Sequence, residues 1–346
     1  MKHIGWSMDE IDLHVDMGKF YAVISCILSS LLLFNGCNAR EEGKLQFPAL
    51  SELTADSLIV PPVLLSVTRL FIAKDMLVTY EQKKDTMFSF WSLPKCNYLF
   101  SAGCRGEGPD EFLMLDRTFI ATSNGFKTFE IASNRVKEIT VDSTGYFKVD
   151  VIKQLEVDQR GLNRFLFLLN NTYCFVSDNE DFEYGLFDQS GNIQHFSDYP
   201  IDLLQKNKDE INRFVYNKLT IANPVGDRFA AFYAYAKLCR IYNNNGKLLN
   251  ETLLESSPNS VSENRYAFYQ YYPCMDADYI YILTTENKRK VLEVWNWDGV
   301  PIAHYLLDKD IVNITVSSNK IYAVDNKNER VIYTYSLADI INKDES

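Results

Sequence analysis

The chain has 346 residues, 47% of them hydrophobic and 14% aromatic, and a formal net charge of −11. That is enough apolar material for a large core. The acidic balance, with no Lys/Arg cluster, argues against nucleic-acid binding, which depends on neutralising phosphates.

Residues 1–16 (MKHIGWSMDEIDLHVD) are acidic and unlike the n-region of an export signal, so translation is expected to start at Met17. Residues 20–34 (FYAVISCILSSLLLF) are apolar and of h-region length, preceded by Lys19 and followed by Asn35-Gly36-Cys37. The block is short for a bilayer span. Cys37 directly after a small residue resembles a bacterial lipobox, in which the leader 1–36 is cut off before a lipidated cysteine. Phe34 and Asn35 stand where Leu and Ala or Ser are usual, and a plain cleaved signal or a buried core segment is the alternative. Residues 37–50 read as the lipidated Cys37 and a polar tether. Its acidic residues after Cys37 resemble a surface-export signal of Bacteroidetes lipoproteins. The expected location is the cell envelope, at the outer membrane, in the periplasm or surface-exposed.

From residue 51 onward one phrase recurs six times: two apolar runs around a short polar turn, usually followed by a second turn. The copies are 77–93 (LVTYEQKKDTMFSFWSL), 127–145, 173–191, 229–246, 279–299 and 321–337 (IYAVDNKNERVIYTYSL). Anchored at Phe90, Ile139, Leu186, Ile241, Val294 and Tyr333, they step by 49, 47, 55, 53 and 39 residues. Strand-built periods of about 40–50 residues mark a β-propeller with one blade per repeat. The runs are rich in Tyr, Phe, Val and Ile. The turns at 142–145, 188–191, 243–246 and 298–299 each end in Gly, which supplies the positive φ of a tight hairpin. The spacing therefore predicts an all-β, six-bladed β-propeller over 51–346, preceded by the lipoprotein leader. The last copy ends too early for a complete blade, so a strand over 57–65 (SLIVPPVLL) is expected to close the ring. Residues 201–218, with partly helical spacing and no Gly or Pro, are expected to carry a short helix on a blade connection.

Catalytic signatures are scarce. His195 and His304 are the only histidines after the leader, far apart and without carboxylates at ligand spacing. Both follow hairpin turns and are expected on equivalent outer strands. No HExxH, GxSxG, Walker or paired CxxC element is present. The run Asp178-Asn179-Glu180-Asp181 lacks the spaced ligands of a calcium loop and reads as a solvated turn, as do Asp308 and Asp310. Neither a metal nor a cofactor is expected. Cys96, Cys104, Cys174, Cys239 and Cys274 form no metal spacing; Cys96 with Cys104, or Cys239 with Cys274, could pair, and buried free thiols are the alternative. The loop 103–112 (GCRGEGPDEF) holds three glycines and a proline. Arg105, Gly106, Glu107, Gly108 and Glu111 are candidates for binding a polar ligand at the axial channel. Otherwise Arg105 and Glu111 tie the first blade to the second, with Phe112 buried. The aromatic run with Tyr266, Tyr269 and Tyr271 could present a face to sugars or peptides, or pack into the core on alternate positions.

The motifs GEGPDEF, NPVGDRFAAFYAY and IYAVDNKNERVIYTYSL resemble the TolB-like, six-bladed propeller lipoproteins of Bacteroidetes, over about residues 50–340. In that family a G-x-G-P-x-E-F loop follows the first blade; Gly106, Gly108, Pro109, Glu111 and Phe112 match it, and Cys104 departs from its small or polar neighbours. Residues 133–136 (SNRV) and 328–331 (NERV) are similar to NHL repeats. The resemblance implies the fold and an envelope location, and transfers no activity. The expected role is a non-enzymatic binding or scaffold protein anchored in the envelope, presenting a propeller face to a glycan, peptide or protein partner. The alternative is a propeller enzyme, a glycan lyase or hydrolase using axial carboxylates and tyrosines.

Overall fold

A computed structural model of the chain describes residues 45–337 except 62, 157–163, 189, 204–205, 207–208 and 257–266. The leader and Cys37 lie outside the described residues. Six antiparallel sheets follow one another along the chain. Each sequence copy supplies the second and third strands of one sheet, and flanking strands complete it to four. The innermost strands are Arg69–Ala73, Leu115–Thr122, Leu166–Leu168, Lys218–Ala222, Cys274–Met275 and Ile311–Ser317, for blades one to six. They come together around the axis of the ring.

The ring closes as the short last copy requires. Asp56–Ile59 is the outermost strand of blade six and pairs antiparallel with Val331–Ser336, Leu58 facing Ile332. The strand stops at Ile59, short of residue 65; Pro61, two residues on, has no N–H to give a ladder. Closure between the two ends of the chain removes an open sheet edge. Ser51–Leu53 adds a fifth strand to blade five, parallel to Pro301–Leu307.

Blades are sandwiched between neighbours, so their inner strands are apolar on both faces. Met76–Tyr80 and Lys218–Ala222 are buried at every position, whereas the outermost strand Asn97–Cys104 is mostly exposed. Six apolar clusters result, one at each junction between blades. At the first junction Phe71 stacks on Phe119 with ring centroids 4.4 Å apart, and Phe88 and Phe112 meet edge to face. Each such side chain contributes about 1.5–3 kcal/mol on burial, which makes these junctions the main source of stability.

Charged side chains fasten the turns between blades. Glu81, one residue past the second strand of blade one, accepts the Leu65 N–H at 2.7 Å and pairs with Lys84. Glu130, at the matching place in blade two, accepts the Leu113 N–H at 3.0 Å and pairs with Lys137. The four turn glycines, Gly145, Gly191, Gly246 and Gly299, all have φ between 74° and 96°, a region a side chain disfavours. Segment 201–218 carries a single helical turn, Asn212–Val215. No described helix is long and apolar enough to cross a membrane.

Candidate functional site: the axial channel

The innermost strands of all six blades enclose a cavity of about 280 Å³ on the propeller axis. Its walls are mostly apolar: Leu70, Phe71 and Ile72 from blade one, Phe119, Ile120 and Ala121 from blade two, Phe167 from blade three, Ile221 and Ala222 from blade four, and Val316 from blade six. Thr118, Thr220 and Thr315 interrupt them with hydroxyls. Thr220 is 6% exposed, and its Oγ1 has no hydrogen-bond partner.

The two ends differ. The first residues of the inner strands lie at one of them, where the Arg69 and Arg117 guanidiniums stand 5.5 and 5.4 Å from the Tyr272 ring centroid. Arg69 is 8% exposed; it donates to the Tyr272 carbonyl at 3.2 Å and to the Pro273 carbonyl, while its Nε has no partner. At the other end are Ala121, Pro224 and Asp276. Asp276 Oδ1 accepts the N–H groups of Asp278 and Tyr279, and Oδ2 accepts the Tyr281 hydroxyl at 2.7 Å.

The cationic end follows the repeat. Arg69, Arg117, Arg164 and Lys218 succeed one another at 48, 47 and 54 residues, against copy steps of 49, 47 and 55. Each sits at or within two residues of the head of its inner strand. Arg164 and Lys218 line a second recess, of about 310 Å³, with Tyr199 and Tyr216. Burial pushes the pKa of Arg69, Arg164 and Lys218 down. Among the described residues, Lys218 alone of the three has a carboxylate in ion-pair contact, Glu183 at 2.6 Å. Asp116, between Arg69 and Arg164 in sequence and close to both electrostatically, is 6% exposed and its pKa is raised by burial. Its carboxyl is committed to Thr118 and to the Phe165 backbone. Sequence reading missed this rim because isolated arginines carry no local motif; aligning the residues ahead of each copy would have exposed it.

Residues 54–244 match the family described as TolB-like 6-blade propeller-like. The chain belongs to this family. No curated protein sequence matches it. Among solved structures it is similar to a Bacteroides fragilis protein described as exported, at 10% identity and a TM-score of 0.53, over 84% of this chain and 97% of that one. A member of the DUF4221 family from Bacteroides vulgatus is similar at 11% identity and a TM-score of 0.51, over 82% and 97%. Likeness at such identities concerns the fold alone.

In this TolB-like propeller the loop after blade one lies at the junction with blade two, and none of its candidate residues lines the axial cavity. Glu111 Oε2 accepts the Gly108 N–H at 2.8 Å. A Cβ on Gly106 would lie 1.9 Å from the same oxygen, so glycine leaves room for the carboxylate. Phe112 is fully buried; its N–H bonds the Cys104 carbonyl at 2.9 Å, and Lys137 lies 4.7 Å above its ring while donating to the Glu111 carbonyl. Arg105 bonds the Gln82 carbonyl. Glu107 is exposed. The aromatic run is divided. Tyr269 is buried and donates to Glu293 at 2.7 Å, and Tyr271 accepts from Lys290. Tyr266 lies outside the described residues, and Tyr272, not among the chosen tyrosines, faces the channel.

His195 and His304 do lie on equivalent strands, the fourth of blades three and five, the latter flanked further out by Ser51–Leu53. The expectation that neither has carboxylates nearby is corrected for His304. Strand pairing sets it opposite Glu293, and its Nε2 is 3.4 Å from Glu286 Oε1. Glu286, Glu293 and His304 are close enough to hold a metal, but the Lys237 ammonium stands 2.6 and 3.1 Å from the two carboxylates and offsets one of their two charges. All five described cysteines are free thiols; Cys104 is exposed and the other four are buried. In the 178–181 turn, Asn179 Oδ1 accepts the N–H groups of Asp181 and Phe182, which is the arrangement of a hairpin turn.

Proposed function

We propose that this protein is a non-enzymatic binding protein of the cell envelope whose ligand enters the axial channel at the end marked by Arg69, Arg117 and Tyr272. The observation that carries this reading is the cavity itself: apolar walls contributed by the inner strands, with convergent polar groups at one end, as small-ligand sites are built. At about 280 Å³ it admits a small molecule, a terminal sugar or one side chain of a peptide or partner protein. The lyase or hydrolase reading needs two carboxylates facing one another across a substrate. Among the described lining residues only Asp276 is acidic, and its oxygens are engaged. The apolar segment before Cys37 supports a lipid anchor, and 133–136 and 328–331 support an NHL-like origin for the blades.

Thermal unfolding of the full chain against a panel of envelope glycans, peptides and small metabolites tests the reading. A ligand at about 100 times its Kd adds roughly 2.7 kcal/mol. Ala121→Trp, which places an indole in the channel from an exposed wall position, should abolish the shift. A shift that survives this change refutes the axial site. Cys37→Ser should release the protein from the membrane fraction, and retention there refutes the anchor.

A further inference from the structure

We propose that the channel selects a ligand with one carboxylate head and a compact apolar body, the head held by the Arg69 and Arg117 guanidiniums and the body against Phe71, Phe119 and Ile221. This rests on the axial-site reading above and names its ligand class.

Asp116 acts on Arg69 only through space, its carboxyl being engaged by Thr118. Among the described residues, neither Arg69 nor Arg117 has a carboxylate within ion-pair distance, although the chain as a whole is acidic. Their contacts with the Tyr272 ring hold both guanidiniums at the mouth. Arg69 retains an unpartnered Nε while 8% exposed, and a buried polar group without a partner is costly. A guanidinium fork matches a carboxylate with two parallel N–H···O bonds. Deeper in the wall the unpartnered Thr220 hydroxyl offers a bond to a polar atom on the body.

The body must be apolar and compact. A cavity of about 150 Å³ accepts benzene, so one of about 280 Å³ takes a group of two fused rings or a folded alkyl chain. The far end sets the charge. Asp276 stands there with its acceptor oxygens already occupied, so a second anionic group would meet its field with no donor to offset it. A monoanion is selected over a dianion.

Isothermal titration of the full chain with naphthoate, uncharged naphthamide, cationic naphthylmethylammonium and the flexible anion decanoate tests this. Naphthoate should bind at least about ten-fold tighter than naphthamide, the difference expected for a charge-assisted pair, and the cation should not bind. Arg117→Met, at an exposed position, should weaken naphthoate more than naphthamide and so shrink the preference, Arg69 supplying what remains. Ala121→Trp should remove both, and unchanged unfolding midpoints show that the variants fold. Equal binding of naphthoate and naphthamide, both lost in Ala121→Trp, overturns carboxylate selection while axial binding stands. Failure of both naphthoate and decanoate to bind overturns the inference. Binding indifferent to both variants overturns it together with the axial site.

Discussion

Glu183 has no exposed surface and is the centre of the charge network behind the cationic rim. It pairs with Lys218 at 2.6 Å and Arg240 at 3.0 Å, and accepts from the Tyr233 hydroxyl at 2.8 Å and Ser197 at 3.1 Å. Glu183→Gln keeps the shape and an acceptor for Tyr233 but removes the charge. Arg240 retains Glu251 at 2.6 Å; Lys218, 1% exposed, retains no carboxylate. Removing one partner of a buried pair costs about 3–5 kcal/mol. The pH dependence gives a sharper test. Burial already lowers the Lys218 pKa below 10.5, and Glu183 is the main influence raising it. In the variant the lysine folds neutral, while the unfolded chain still binds its proton. Stability then rises with pH, by about 1.4 kcal/mol per unit for one proton, so roughly 2.7 kcal/mol of the penalty returns between about pH 7 and 9. Staying below pH 10 keeps the tyrosines of the network from titrating in the unfolded chain. Urea unfolding followed by tryptophan fluorescence at several pH values measures the difference between variant and parent. A penalty below about 1 kcal/mol, or one that does not shrink as pH rises, refutes the argument.

Acid should weaken the fold through blade five. His304 and Lys237 pull the Glu286 carboxyl down from 4.5 to about 2, so its stabilisation is complete above the unfolded value and is lost as pH falls from about 4.5 to 2. Glu286→Gln should flatten the unfolding midpoint across that window, and an unchanged slope refutes the assignment. Gly226→Ala should cost more than about 2 kcal/mol, combining a positive φ of 78° with backbone atoms of Leu169 and Leu168 at 2.8 and 2.9 Å. Gly191→Ala, at a φ of 87° with nothing within 4 Å, should cost only about 1–2 kcal/mol; equal penalties in urea unfolding would deny the close approach of blades three and four. Among the described cysteines, iodoacetamide should label Cys104 alone in the native protein, since burial shields the others and pushes the Cys96 and Cys274 thiols up to about 12. Labelling of Cys174 or Cys239 by mass spectrometry would contradict the packing of blades three and four.

The sequence made the middle of each blade legible and left its inner edge obscure, for a physical reason. The second and third strands, such as Met76–Tyr80 and Thr86–Ser92, are joined by polar turns and buried on both faces, so composition alone marks them. The innermost strands are short where the channel is reached: Leu166–Leu168 has three residues and Cys274–Met275 two. Too few residues are present there for alternation to appear. Side chains facing the axis answer to the other five blades rather than to their own strand, so Arg69, Arg117 and Tyr272, far apart in sequence, have no shared local pattern. The glycine-rich loop had the opposite fate. Its pattern was conspicuous because backbone and carboxylate share a confined space at Gly106 and Glu111, a demand of the blade junction.

One property of the rim joins these observations. Cations occupy the same place in four successive blades: Lys218 pairs with Glu183, Arg164 donates to Asn217, and Arg69 donates to the Tyr272 and Pro273 carbonyls. Of the four, Arg69 and Arg117 are the ones that line the axial cavity. Neither has a carboxylate in ion-pair contact among the described residues, and Tyr272 stands beside both, so an incoming carboxylate meets two guanidiniums at once. The axial reading therefore depends less on the size of the cavity than on this asymmetry between blades, and exchanging Arg117 for Met separates the two.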